Sequence, residues 1–409
     1  MNSSINFPVV STQILPVCRL LEAKNVLLLQ GPLGPFFQDF SVWLRSKNIN
    51  VSKVNFNGGD WFYSKHANLF NFNQPIDNLS SWLQSLIKGK LIDAIVCFGD
   101  CRPQHQIAKQ VCELLDVDFF VFEEGYIRPD YITFEYQGVN GNSSWSHEET
   151  VLLPVTINDP KDAEQKFIKM VGYAITYYIA MTLGKFWFTR YKHHRNTSTL
   201  KETKAWLVSG YRRLTNSVYD SKQMNFIQTH LKDNYFICAL QVFNDYQVRV
   251  HSNYNDVTDF INEVIISFAN HADKSAYLVF KHHPMDRGYR NYKNMIDSLI
   301  NQLGIEERVY YVCDVHLPTL IEHSLGMVTI NSTTGLQSLF RHKPVKALGT
   351  AIYNLHGVSA QMSLDNFWQD YKNTDMSKYP LFKDNLIYFT QLNGSFYGNM
   401  PWMNNFISH

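Results

Sequence analysis

The chain has 409 residues, of which 45% are hydrophobic and 18% are charged, and its formal net charge is +1. This composition is typical of a globular protein and excludes a disordered chain. The length favours two domains, or two domains and a connecting segment. A nearly neutral chain lacks the basic excess of a general nucleic-acid binder, so no nucleic-acid partner is predicted.

The six cysteines suggest neither a zinc site nor a disulfide framework. Cys97 and Cys101 form a CxxxC pair, but no second pair follows at zinc-ligand spacing. We therefore predict no bound metal and a reducing compartment. The first twenty residues contain no basic region followed by a continuous apolar stretch, so no secretory signal peptide is predicted.

The first part of the chain contains four apolar runs that predict buried strands, at residues 24–30, 51–56, 91–98 and 118–122. Each run ends in glycine and polar residues, and amphipathic helical patterns follow the first and the third. In a parallel sheet these ends face one crevice, where ligands bind. The residues that we therefore single out are Gly31, Gly34, Asn57, Asp60, Asp100, Arg102, Glu123, Glu124 and Arg128.

The middle of the chain differs from both flanks. Residues 167–188 are apolar and aromatic but are interrupted by Lys169 and Lys185, and a basic stretch follows at residues 190–195. The uninterrupted part is predicted to be too short to span a bilayer. A helix that lies in a membrane interface and a buried helix that joins two domains both fit this pattern.

From residue 234 onward, strand and helix patterns alternate again, which predicts a second Rossmann-like domain. Strands are expected at residues 234–243, 278–284, 309–312, 328–331 and 345–349, with helices between them. The resulting division is a first domain at 1–160, a helical connecting segment at 161–225, a second domain at 226–365 and a helical tail at 366–409.

Two strand ends in this second domain carry polar residues that suit an anion. Lys281, His282 and His283 stand where one strand stops, just before a proline. The run of Asn331, Ser332, Thr333 and Thr334 stands where another strand passes into a helical pattern that begins at Gly335. Hydroxyl groups, backbone N–H groups and the positive end of a helix dipole can hold a phosphate there. Ordinary caps and strand-end histidines of ligand-free α/β proteins give a similar pattern.

Two α/β domains with facing strand ends predict a glycosyltransferase of GT-B form. The same pattern also describes an epimerase, a periplasmic binding protein or a phosphorylase-like enzyme, and fold alone does not choose among them.

Short stretches along nearly the whole chain resemble the capsular polysaccharide synthesis proteins of the KpsS/LipB type, the β-Kdo transferases of Gram-negative capsule assembly. They lie at residues 30–37, 55–60, 97–103, 122–129, 240–245, 281–284, 331–335 and 348–353. The resemblance implies a GT-B-like enzyme that moves the acidic sugar Kdo from CMP-β-Kdo to phosphatidylglycerol or lyso-phosphatidylglycerol. The transfer would retain the β-configuration and start the poly-Kdo linker of a capsular polysaccharide.

The resemblance also implies a setting for this enzyme. It would be a cytoplasmic protein, peripheral on the inner membrane, that needs no metal or other cofactor. Its partners would be other capsule assembly proteins, including the Kdo transferase that extends the linker. A non-catalytic export or assembly factor that binds the lipid-linked glycan is the alternative, although such a factor has no need of a site for a phosphate leaving group.

The resemblance assigns roles to single residues. His283 would bind or protonate the departing CMP phosphate, with Lys281 and His282 nearby and Ser332, Thr333 and their neighbours holding the same phosphate. Glu124 stands where related Kdo transferases have an acidic residue before glycine, and it is one methylene longer than their aspartate. A carboxylate there can take the proton of the incoming hydroxyl, although an ion pair with Arg128 is the structural alternative.

The remaining candidates are assigned to binding. Asn57, Asp60, Asp100, Arg102 and Arg128 are expected to bind the acceptor or the sugar, although turn and cap chemistry would use the same residue types. Gly31 and Gly34 would let a ligand approach the backbone. Gly349 and Tyr353 are expected to line the pocket of the nucleotide base.

Overall fold

The computed structural model describes residues 15–145, 150–190 and 199–405, with the backbone alone for residues 199–203, 206, 246, 247 and 405. These parts of the chain form two helix-flanked sheets. The strands are β1 Asn25–Leu28, β2 Asn50–Asn55, β3 Asn68–Asn71, β4 Ala94–Phe98, β5 Asp118–Glu124, β6 Tyr131–Tyr136, β7 Tyr235–Ala239, β8 Tyr277–Lys281, β9 Val309–Val312, β10 Gly326–Thr329, β11 Val345–Ala347 and β12 Gln391–Asn393. The helices are α1 Pro16–Leu20, α2 Phe36–Ser46, α3 Gly58–Phe62, α4 Leu79–Lys90, α5 Pro103–Leu115, α6 Phe167–Leu183, α7 Thr199–His230, α8 Tyr246–Val250, α9 Val257–His271, α10 Lys293–Leu303, α11 Leu317–Glu322, α12 Thr334–Leu339, α13 Leu364–Asp370, α14 Tyr379–Thr390 and α15 Pro401–Asn405.

Both sheets have the strand order of a doubly wound α/β fold. The first runs β3-β2-β1-β4-β5-β6-β12, parallel from β3 to β5, with β6 and β12 each antiparallel to its neighbour. The second runs β9-β8-β7-β10-β11 and is parallel throughout. The predicted fold class, two Rossmann-like domains, is confirmed. In such sheets ligands bind where the strand order reverses, here between β1 and β4 and between β7 and β10.

The central strands are apolar on both faces because helices cover each sheet on both sides. In β1 and the residue after it, Val26 and Leu28 pack under α2, while Leu27 and Leu29 face the other way, into the core formed with α4 and α5. This alternation follows from the two-residue period of a strand. All five residues of β7 are buried for the same reason.

The C-terminal tail divides between the two domains. Phe382 and Leu386 of α14 pack into the core of the second domain. The chain then returns to the first domain, where β12 pairs with β6 and Trp402 stacks edge-on against Trp43 at 4.9 Å. The sequence indicated only a partly helical tail, because three residues of edge strand leave no periodic signal.

Helix α6 lies against the first domain and leaves its other face exposed. Lys169 and Lys185 stand near the two ends of Phe167–Phe186, which spans 20 residues with a mean hydropathy of 1.2. With both lysines included, this segment is long and apolar enough to cross a membrane. The expectation concerned only the shorter part between the two lysines and stays a prediction. Of the predicted basic stretch, only Arg190 falls within the described residues.

The backbone of α6 approaches α3 closely because two glycines start α3. A Cβ atom on Gly58 would lie 2.2 Å from the carbonyl oxygen of Ala180 and 2.8 Å from the Cα atom of Gly184. A Cβ atom on Gly59 would lie 2.7 Å from the ring of Tyr177. Only glycine therefore permits this packing.

We expect Gly58→Ala to lower the free energy of unfolding by about 1–3 kcal/mol, because the added methyl group must displace α6. Gly89→Ala is the matched control, since nothing lies within 4 Å of its Cβ position and alanine favours a helix. Urea unfolding of both variants measures the difference. Equal stability of the two variants would contradict the tight packing of α6 on α3.

Candidate active site

A cavity of about 720 Å³ lies between the two domains. Its walls are loops that follow β4 and β5 in the first domain and β7, β8 and β10 in the second. This is the edge of each sheet where a doubly wound fold binds its ligands. The first domain contributes Phe98, Gly99, Asp100, Cys101, Arg102, Glu123, Glu124, Arg128 and Asn140, and the second contributes Gln241, Val242, Phe243, Asn244, Asp245, Arg249, His283, Asn331, Ser332, Thr333, Thr334 and Gln337.

Two adjacent carboxylates at the end of β5 both line the cavity. Strand alternation alone would turn only one of them inward, but β5 ends at Glu124 and the cavity wraps around its end. Gly125 allows an immediate turn, since a Cβ atom there would lie 2.0 Å from the carbonyl oxygen of Tyr131. The Glu124 N–H donates to Glu123 Oε1 at 2.9 Å.

Burial favours the protonated forms of both carboxylates. It raises the pKa of Glu123 from 4.5 to about 7, while the hydrogen bond from the Glu124 N–H acts in the opposite direction. Burial also raises the pKa of Glu124, against the attraction of Arg128. Groups with a pKa near neutrality can both accept and return protons, which suits acid–base chemistry.

Two guanidinium groups line the same wall. Arg102 donates from Nη1 to the side-chain oxygen of Gln30 at 2.8 Å, and Arg128 donates from Nε to the Gly125 carbonyl at 3.1 Å. Each guanidinium carries five N–H donors in a planar fork that suits carboxylates and phosphates. The cavity can therefore bind anionic groups from the first domain as well as from the second.

Asp100 holds a neighbouring turn in place. Its Oδ2 atom accepts hydrogen bonds from the Val139 N–H at 3.1 Å and from Asn142 Nδ2 at 2.9 Å. These bonds fix the turn that carries Asn140 at the cavity wall. Asp100 thus lines the cavity and also has the cap chemistry that its position after a strand suggested.

His283 follows β8 and faces the cavity from the second domain. Its Nδ1 atom accepts a hydrogen bond from the Met285 N–H at 3.2 Å, so a neutral ring carries its proton on Nε2. Burial, with Lys281 and Arg128 adding positive charge, lowers the pKa of His283 to about 4. The ring is therefore neutral at pH 7, and a bound anion would raise its pKa.

The Ser332–Thr334 loop follows β10 beside His283. Ser332 Oγ accepts a hydrogen bond from the Thr334 N–H at 3.2 Å, and α12 then begins at Thr334. Because α12 has only six residues, the hydroxyl and N–H groups matter more than a helix dipole. Tyr353 supports the loop from behind by donating to the Ser332 carbonyl at 2.7 Å. Gly335 is needed there, since its Cβ position lies 2.2 Å from Tyr353 Oη.

Lys281 and His282 do not line the cavity. Lys281 is buried, and its ammonium group donates to the carbonyl oxygens of His282 and Cys313. His282 bonds through Nδ1 to Tyr311 Oη at 2.8 Å and borders a separate cavity of about 60 Å³. Both histidines lie beyond the end of β8, and of the two only His283 lines the cavity between the domains.

Gly31 does not line the cavity, and its Cβ position lies 2.8 Å from the ring of Phe37 in α2. Gly34, Asn57 and Asp60 face α6 and not the cavity. The buried Asp60 carboxylate accepts hydrogen bonds from the Tyr177 hydroxyl at 2.7 Å and from the side-chain amide of Asn57 at 3.1 Å. Gly34 has φ +111°, and its Cβ position lies 2.6 Å from the ring of Tyr173. Gly34, Asn57 and Asp60 hold α6 against the first domain.

Gly349 likewise lies apart from the cavity. It borders a depression on the second domain, which His251 and Thr350 also border. Tyr353 is buried beneath the Ser332–Thr334 loop. Neither residue lines the cavity between the domains.

Residues that follow β7 line the cavity although the sequence reasoning did not assign them to the site. The Gln241 amide donates to the side-chain oxygen of Asn331 at 2.9 Å and accepts from the Asn331 N–H at 3.2 Å. These two bonds join the ends of β7 and β10. Gln241 lies inside the strand predicted at 234–243, so the signal that could have identified it was its place in the stretch 240–245 that resembles the family. Arg249 lies in α8, where no spacing pattern marked it.

The sequence matches known capsule proteins over most of its length. The model of the family described as capsule polysaccharide biosynthesis protein matches residues 93–397. The capsule polysaccharide export protein KpsS of Escherichia coli is 40% identical over 381 residues, which cover 92% of this chain and 98% of that protein. The capsule polysaccharide modification protein LipB of Neisseria meningitidis serogroup B is 39% identical over 399 residues, or 94% of each chain.

Among solved structures, a β-Kdo 2,7-transferase, KpsC of Thermosulfurimonas dismutans, aligns with 83% of this chain and 87% of its own. The TM-score is 0.39 and the sequence identity is 13%.

We expect Glu123→Gln to change how stability depends on pH. Because the pKa of Glu123 is raised from 4.5 to about 7, the folded wild type binds more protons than the unfolded chain in that range and loses stability as pH rises through it. The variant should gain roughly 1–3 kcal/mol relative to the wild type between pH 5 and pH 8. Urea unfolding across this range, with Glu113→Gln on the exposed side of α5 as control, measures the gain. Parallel profiles for Glu123→Gln and wild type would contradict the raised pKa.

Proposed function

This chain belongs to the capsule polysaccharide biosynthesis family, and we propose that it is a glycosyltransferase whose nucleotide-activated donor binds in the cavity between the domains. The proposed donor is CMP-β-Kdo, and the proposed acceptor is phosphatidylglycerol or lyso-phosphatidylglycerol. One observation carries the proposal: a single cavity brings the carboxylates at the end of β5 together with His283 and the Ser332–Thr334 loop.

The second domain has the groups that a departing CMP needs. The bond between the anomeric carbon and the phosphate oxygen breaks, and its electron pair stays on the phosphate. The Nε2–H group of His283 donates to that oxygen, and the hydroxyl groups of Ser332 and Thr333 hold the other phosphate oxygens. Donors already in position where negative charge develops are usually the largest single contribution to such a rate. Lys281 and His282 have no part in this proposal.

The first domain has the groups that an acceptor needs. As the acceptor oxygen attacks the anomeric carbon, its proton passes to Glu124, with Glu123 as the neighbouring carboxylate. Arg102 and Arg128 bind the carboxylate of Kdo or the phosphate of the lipid, since a guanidinium pairs with either group through two N–H bonds. Retention of the β-configuration is part of the proposal, so the acceptor oxygen attacks the face of the anomeric carbon that the phosphate leaves. NMR of the product tests it.

The assay combines purified protein, CMP-Kdo generated in situ and a fluorescent phosphatidylglycerol analogue, with products identified by mass spectrometry. A mass gain of one Kdo supports the proposed initiating step. A gain of several Kdo units assigns this chain to the extending step, and no gain overturns the proposed reaction.

No metal enters the proposed reaction. In the part of the chain that the structure describes, no three His, Cys, Asp or Glu side chains form a group that could hold a metal ion. The same assay with EDTA tests metal independence directly: transfer should continue at an unchanged rate, and loss of transfer that added Mg²⁺ restores would contradict it.

The relative from E. coli is named an export protein, which favours one second candidate. In that reading the chain binds the lipid-linked glycan and carries out no chemistry. Tight glycolipid binding without release of CMP would support the export factor over the transferase.

Replacing His283 should affect catalysis more than folding. We expect His283→Ala to lower kcat by about 10²–10³-fold, because the departing phosphate loses its principal donor. Glu124→Gln should lower kcat by a similar factor, while the exposed His316→Ala serves as control and should leave kcat unchanged. CMP release measures all three rates, and a fully active His283→Ala would remove that residue from the mechanism.

The serine–threonine loop should act mainly on donor binding. The double variant Ser332→Ala/Thr333→Ala is expected to raise the KM for CMP-Kdo by about tenfold or more, since each lost hydroxyl leaves a charged phosphate oxygen short of a donor. The exposed Ser85→Ala in α4 is the control. An unchanged KM would show that the phosphate binds elsewhere.

A further inference from the structure

Helix α6 carries its apolar side chains on the face that points away from the protein. Its exposed stripe is formed by Ile168, Ile175, Ile179 and Leu183, and Phe186 continues it in the turn that follows. The spacing of seven, four, four and three residues places all five on one side of the helix. Each is at least half exposed, from 55% for Ile179 to 85% for Ile168. A helix on the surface of a soluble protein has the opposite arrangement.

The inner face of α6 is fixed to the first domain by polar contacts. The Tyr177 hydroxyl donates to Asp60 at 2.7 Å and accepts from the side-chain amides of Gln30 and Asn57, each at 2.9 Å. The close approach of Ala180 to Gly58 adds backbone contact on the same side. A helix held in this way has one face available to lipid and cannot be surrounded by it. The inner contacts therefore favour a helix that lies in the plane of a membrane surface over one that spans it.

The charges around the stripe have one sign. Between Phe167 and Arg190 the sequence contains Lys169, Lys185 and Arg190 and no Asp or Glu. The exposed Trp187 stands beside Lys185, and Trp61 of α3 is also exposed. Lysine and arginine pair with anionic headgroups, and tryptophan prefers the boundary between headgroups and acyl chains.

Helix α7 repeats the pattern on a second surface. Leu207, Tyr211, Leu214 and Val218 are exposed with helical spacing. From residue 203 to 219 the sequence contains three basic residues and no acidic one. An anionic bilayer matches both the apolar and the basic groups of the two stripes. Neither stripe indicates a protein partner of opposite charge.

We propose that the outward face of α6, with the turn through Trp187, is a docking surface for an anionic lipid membrane, on which the helix lies flat. This inference goes beyond the proposed reaction and does not rest on it. Docking can be measured without a donor, and transfer can be measured with an acceptor in detergent, so each can fail while the other succeeds.

Binding should be reversible and should need both parts of the surface. Apolar side chains that reach the acyl boundary supply attraction, and basic side chains supply selectivity for anionic lipid. Neither contribution alone holds a protein of this size firmly, because a single weak anchor gives only marginal binding.

The experiment is flotation of the full-length protein with vesicles of phosphatidylcholine alone or mixed with phosphatidylglycerol. The wild type should float with the mixed vesicles, and Ile175→Asp/Ile179→Asp should lower the partition coefficient at least about tenfold. The matched control is Leu114→Asp/Ile266→Asp, which places the same two charges on exposed positions of α5 and α9 and should bind as the wild type does.

A second pair of variants tests the charge contribution. Lys169→Gln/Lys185→Gln should weaken binding to the mixed vesicles by about fivefold per lysine while leaving binding to neutral vesicles unchanged. Lys88→Gln/Lys372→Gln removes two exposed lysines elsewhere and should have no such effect. Circular dichroism of each variant confirms that the fold is retained.

Three outcomes would overturn the proposal. The wild type could fail to float with anionic vesicles at low ionic strength, or the α6 variant could bind as the wild type does. Alternatively, the wild type could sediment as a dimer, and Ile175→Asp/Ile179→Asp could dissociate this dimer without changing vesicle binding. That last result would assign the stripe to an interface between two copies of this chain.

Discussion

The side-chain amide of Gln30 connects the main parts of the first domain. Its nitrogen donates to Asp60 at 3.1 Å and to Tyr177 at 2.9 Å, and its oxygen accepts from Arg102 at 2.8 Å and from Gln104 at 2.7 Å. Gln30 is 3% exposed. If its amide were removed, each partner would lose a hydrogen bond in a place where water cannot readily replace it. Through this one group the end of β1 positions α3, α6 and the cavity wall after β4.

The cavity is polar, and burial shifts its titratable groups toward their neutral forms. The pKa of Glu123 rises to about 7 while that of His283 falls to about 4, because burial penalises charge of either sign. Guanidinium groups of Arg102, Arg128 and Arg249 line the cavity beside the carboxylates of Asp100 and Asp245. An anionic substrate bound next to His283 would favour protonation of its ring.

The apolar runs of the sequence predicted the described parallel strands except β3, because central strands of such sheets are apolar on both faces. Strand β3 is mostly exposed and carries no such run. The apolar runs did not reveal β6 or β12, which pair at the edge through contacts distant in sequence. Strand ends correctly drew attention to one crevice, and Glu124, His283 and Ser332 do line one cavity.

Other positions had residue types that suit a binding site but have a different role in the structure. His282 bonds to Tyr311 beside a separate small cavity, and Asp60 binds α6 through Tyr177, 117 residues away. No local pattern reports a contact over such a distance. The structure thus separates two features that the sequence presented together, a cavity lined by strand ends and a polar patch that holds an apolar helix.

The most direct test of where the donor binds is a crystal structure of the protein with CMP. The account predicts the phosphate in the cavity between the domains, within hydrogen-bond distance of His283 and of Ser332 or Thr333. A phosphate in the small cavity beside His282, or in the depression beside Gly349, would contradict the assignment of the active site.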